Sequence, residues 1–65
     1  MEIKRTEQIE TVSRILTAHV PVDVQEREYW QAGMYSALEA MRCALLLTPK
    51  EQDTILRAVA EELRK

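Results

Sequence analysis

The sequence predicts an all-α fold, with three short helices over about residues 3–18, 23–46 and 49–64 forming a small bundle. Three observations carry that expectation. The chain has one Gly and two Pro in 65 residues, on a background of Ala, Leu, Glu, Arg and Gln, which are strong helix formers. Both prolines fall where the apolar pattern breaks. Between the breaks, apolar residues return every three or four positions, which is the spacing of one helix face.

The first helix carries Ile9, Val12, Ile15, Leu16 and Val20 as its apolar positions, with Glu7, Glu10, Arg14 and Thr17 on the other side. Pro21 ends it, because proline pushes the residue before it out of the helical region. The second helix starts at Asp23, which with Glu26 approximates a capping box, and is expected to run to Leu46 or Leu47. The third has the clearest start: Thr48 and Glu51 can cap each other's amides, and Pro49 occupies the first turn, where its missing N–H costs nothing. Ile55, Leu56, Val59, Ala60 and Leu63 form its apolar stripe.

Helix two carries more apolar surface than a helix covered on one side needs. One face holds the bulky residues Trp30, Met34, Leu38, Met41 and Leu45; another holds the small residues Gly33, Ser36, Ala37, Ala40, Cys43 and Ala44. Small residues stepping by three and four let a second helix come close, and a mid-helix glycine points to packing. Helix two is therefore read as central, with a neighbour on its small face. That neighbour is either another helix of the chain, giving a monomeric bundle, or a second copy, giving a homodimer. The short length, the single cysteine that excludes an internal disulfide, and the absence of Phe favour the second copy, since small domains need added stabilisation. The expected self-association residues are Trp30, Gly33, Met34, Ala37, Ala40, Met41 and Ala44.

Composition narrows the function. Net charge is −2 with both signs interspersed, so no field gathers a phosphate backbone, and nucleic acid is not an expected partner. Lys4 and Arg5 are the one basic pair near the start. The longest apolar run, Ala44–Leu47, is too short to cross a bilayer. No secretory leader is evident, and a lone cysteine suits a reducing compartment, so the cytoplasm is expected. One His and one Cys give no metal-ligand spacing. There is no Gly-rich loop and no nucleophile beside a base, so neither an enzyme nor a cofactor is expected.

What remains is binding. Tyr35 stands among Glu28, Gln31, Glu39 and Arg42, and an aromatic ring in charged surroundings can anchor a protein partner. The expected partner-binding residues are Tyr35, Arg42, Glu39, Tyr29 and Arg27. The reading is a small helical homodimer that binds and inhibits a cellular protein, in the style of a phage or mobile-element product. Two alternatives stay open: an oligomer that holds a nucleotide or other small anion through Arg27, Tyr29 and Arg42, and, behind it, a small DNA-binding regulator.

Overall fold

A computed structural model describes residues 4–65 of the chain; the expected helix start at residue 3 lies outside them. Three helices follow in order, α1 (Arg5–Ala18), α2 (Val24–Cys43) and α3 (Pro49–Leu63), with no strand among the described residues.

The turns form as local chemistry dictates. At the end of α1, His19 donates its backbone N–H to the Leu16 carbonyl (3.1 Å) and places Nδ1 2.7 Å from the Ile15 carbonyl. A carbonyl can only accept, so that ring nitrogen carries the proton. Asp23 caps α2 by accepting from the amides of Gln25 (2.8 Å) and Glu26 (3.2 Å). These are two of the donors a helix start leaves unpaired. At α3 the full box is present: the Glu51 amide donates to Thr48 Oγ1 (3.1 Å), and the Thr48 amide donates to Glu51 Oε1 (2.9 Å).

Helix two stops earlier than the apolar pattern suggests. It ends at Cys43 because Leu45 turns into the left-handed region at φ 63°. The Leu45 amide then reaches the Arg42 carbonyl (3.0 Å) and the Leu46 amide the Met41 carbonyl (2.8 Å). This pair of bonds is a Schellman motif, whose left-handed position normally belongs to glycine. Leucine there is strained by its Cβ, and its side chain is 91% exposed, so no packing offsets the strain. Leu45→Gly is therefore expected to raise stability by about 1 kcal/mol. A urea titration checks this, and an unchanged or lowered midpoint would contradict it.

The core puts α3, not α2, at the centre. Ile55 and Val59 of α3 are 0% and 1% exposed, and around them close Ile9 of α1, Met34 and Leu38 of α2, and Leu47 of the last turn. Val12, Leu16, Trp30, Met41, Leu56 and Leu63 pack against this cluster. α1 lies along α3 in the same direction, since Arg5 at one start bonds Glu51 at the other. α2 runs back the other way, with Glu39 near its end receiving the Gln52 amide of α3 (3.0 Å). α1 and α2 both pack on α3, but nowhere approach each other closely. Ile15, expected on the buried stripe of α1, is instead 53% exposed. Its place in the buried row goes to Ser13, whose hydroxyl donates to the Ile9 carbonyl (2.9 Å) and so enters the core without an unpaired group.

Because α2 touches the rest of the molecule along one narrow line, the chain is drawn out. Its extents are 38 × 23 × 17 Å and its radius of gyration is 12.2 Å, against about 10.7 Å for a compact chain of this length. α2 is about 30 Å long and forms one outer wall.

Candidate functional site

Of the twenty residues of α2, only Met34 and Leu38 are buried. The line Trp30, Met34, Leu38, Met41 is the one α3 needs, because these positions recur at the three-and-four spacing that keeps one face toward a neighbour. Three of the expected self-association residues are thus committed within the chain: Met34 is buried, and Trp30 and Met41 are half-buried against the core. The other four, Gly33, Ala37, Ala40 and Ala44, point away and are exposed. A methyl group built on Gly33 would meet nothing within 4 Å. The small face is therefore not a seam within the chain.

This outward face has a definite composition. From Tyr29 to Ala44 it holds Tyr29, Ala32, Gly33, Ser36, Ala37, Ala40, Cys43 and Ala44, all exposed. The face contains no charged side chain, in a sequence that is 31% charged. Within it Tyr29, Gly33, Ser36, Ala40 and Cys43 step by four, three, four and three, which is the seam spacing of paired helices. Tyr29 is 83% exposed. The strip is about 22 Å long.

The polar edge beside it is organised differently. Tyr35, Glu39 and Arg42 recur at i, i+4 and i+7 and so share one side of the helix. Arg42 forms an ion pair with Glu39. Hydrogen bonds from Arg42, and secondarily from Gln52, hold the Glu39 carboxyl below its ordinary pKa. Tyr35 remains exposed beside this pair. Arg27 does not belong to this edge. Its Nε donates to the Pro21 carbonyl at 2.6 Å, so it fastens the first turn of α2 to the preceding linker. Arg27 and Arg42 are about 22 Å apart along the helix, too far for one protomer to close both on a small anion.

A comparison with protein-family models, curated proteins and solved structures finds no match. Function must be argued from the surface itself.

One further cluster stands out, and nothing in the sequence marks it. Arg5 forks onto Glu51 with Nε and Nη2 donating at 2.7 and 2.9 Å, and Nη2 also reaches the Leu46 carbonyl at 2.5 Å. The pairing spans 46 positions and ties the start of α1 to the start of α3, a contact that no local pattern encodes. The Arg5 guanidinium first, and the Thr48 amide next, bring the Glu51 carboxyl down to about 2. Beside the pair lies an open notch of about 270 Å³ lined by Arg5, Thr6, Ile9, Glu10, Lys50, Glu51 and Thr54. Its two acids and two bases leave no net charge to hold an anion, and Arg5 is no longer a free basic residue for DNA.

The sign of the pH effect follows from the depressed carboxyl. Glu51 is more acidic folded than unfolded, so its contribution is complete above its ordinary value near 4.5 and disappears as pH falls toward about 2. The melting temperature of the natural protein should accordingly exceed that of Glu51→Gln at neutral pH, with the gap closing between pH 4.5 and 2. A gap that persists at pH 2 would show that the Arg5–Glu51 charge pair is not its source.

Gly33 gives a second local test. Alanine is a better helix former than glycine by about 1 kcal/mol, and the space beside Gly33 is empty in the single chain. Gly33→Ala should stabilise the isolated chain by about that amount in dilute-solution chemical denaturation. A loss of stability there would mean that the face is already covered.

Among the described residues no group of three or more His, Cys, Asp or Glu is placed to hold a metal ion. Among those residues, too, no helix is long and apolar enough to cross a membrane.

Proposed function

We propose that this chain is a non-enzymatic binding protein of the cytoplasm. It self-associates as a homodimer through the outward face of α2 and uses the adjoining edge to bind and inhibit a cellular protein. The observation that carries the reading is the uncharged, exposed strip from Tyr29 to Ala44. A helix face turned permanently to water has no physical reason to exclude charge, whereas a face that packs on another helix does. The edge carrying Tyr35, Glu39 and Arg42 stays open beside that strip. There an amphipathic ring stands next to an ion pair already held in one geometry, so binding it costs little ordering. The lone cysteine supports a reducing compartment.

Native mass spectrometry of gently purified protein tests the reading. A dimer mass free of small adducts supports it. A reproducible adduct at each site would instead favour the anion-binding alternative, and a bare monomer at all concentrations would remove the homodimer. For the partner edge, Tyr35→Ala combined with Arg42→Ala should abolish retention of a captured cellular protein while leaving the helical circular-dichroism signal unchanged. Undiminished retention would move the binding site elsewhere.

A further inference from the structure

We infer that the second copy docks antiparallel, α2 against α2, with Tyr29 of each copy lying over the Cys43–Ala44 end of the other. This rests on the self-association reading above and specifies the geometry of that same face.

Size complementarity is the first argument. The strip has one large exposed side chain, Tyr29, at its N-terminal end, and small residues from there to Ala44. Side by side in the same direction, two Tyr29 rings would meet and hold the helices apart at that end, leaving the Gly33–Ala40 stretch unfilled. Reversed, each ring meets the smallest side chains of its neighbour, and the helices can approach along their whole length.

Charge gives the same orientation. The first turns of α2 carry Glu26 on one flank of the strip and Glu28 on the other, and its last turn carries Arg42, ion-paired with Glu39, on the Glu28 flank. Parallel copies would set Glu26 of each copy against Glu28 of the other along both edges and align two helix dipoles. Antiparallel copies set Arg42 on the same edge as Glu28 of the neighbour, offset by only about 3 Å along the axis, and oppose the dipoles.

Area is consistent with a partner of this kind. The chain exposes 5156 Å², about a fifth more than the roughly 4,300 Å² characteristic of a folded monomer of 7.6 kDa. That excess belongs to the whole elongated molecule, and the bare outer wall of α2 is part of it.

The orientation is read by copper–phenanthroline-driven disulfide cross-linking, which joins only cysteines that face each other at short range, on non-reducing gels and alongside sedimentation. In an antiparallel pair centred near Ser36, the two Cys43 thiols lie about 20 Å apart, whereas two cysteines at position 36 face each other. The natural protein, whose only cysteine is Cys43, should stay single on a denaturing gel. Ser36→Cys in a Cys43→Ser background should shift to twice the mass. Ser36 is exposed on the helix, so the change does not threaten the fold. Cross-linking through Cys43 in the natural protein would overturn the antiparallel arrangement and leave self-association standing. A sedimenting dimer in which position 36 does not cross-link would place the contact on another face. A monomer by sedimentation would remove both the orientation and the self-association it rests on.

Discussion

Ile55→Ala should lower the stability of the fold by about 3 kcal/mol, the mid-range cost of emptying a fully buried aliphatic site. Ile55 is 0% exposed and lies where α1, α2 and the Leu47 turn all converge on α3. A chain of this length has only about 3–10 kcal/mol in total, so the variant should melt roughly 15 °C lower and sit near the edge of folding. Ile15→Ala is the matched comparison: the same change of side chain, on an exposed part of α1, should move stability by less than about 0.5 kcal/mol. Thermal melts at one fixed protomer concentration compare the two, since association couples to unfolding. Equal losses would contradict the placement of the core.

The second large effect is expected at Ala37, in the middle of the outward strip. Ala37→Glu puts a carboxylate where the reading brings two helices together. An unpaired charge buried in that way costs about 3–5 kcal/mol, which is a weakening of self-association by roughly a hundredfold to a few thousandfold. The isolated chain should be unaffected, because Ala37 is exposed and glutamate is a good helix former. Sedimentation of the variant should therefore show monomers with an undiminished helical signal. Retained dimers would exclude this part of α2 from the contact.

The helices were legible in the sequence because their signals are local. The Thr48–Glu51 box, Asp23 as a cap and Pro21 as a stop each act within a few residues, and all are found as expected. What the sequence did not reveal depends on tertiary geometry. Leu45 and Leu46 continue an apolar run, and nothing local says that Leu45 turns left-handed; it does so where the chain must reverse to place Leu47 in the core. The central role of α3 was hidden for a related reason. α2 has the wider apolar surface, but width does not tell which part of that surface is used within the chain. Periodicity grouped Trp30, Met34 and Met41 with the small residues as one association surface. The fold separates them, turning the bulky line inward and the small line out. Arg5 was invisible as a structural residue, since its partner Glu51 lies 46 positions away.

If the outward strip of α2 is covered in the working protein, as proposed, Cys43 reports on it directly. Its thiol is exposed in the single chain and lies on the strip. The rate at which a small maleimide alkylates Cys43, measured over a rising series of protein concentrations, is therefore the most direct test. The rate should fall as concentration rises and the strip becomes buried, and Ala37→Glu should restore it to the dilute value. A rate that stays fast and independent of concentration would show the face open to water and contradict the claim.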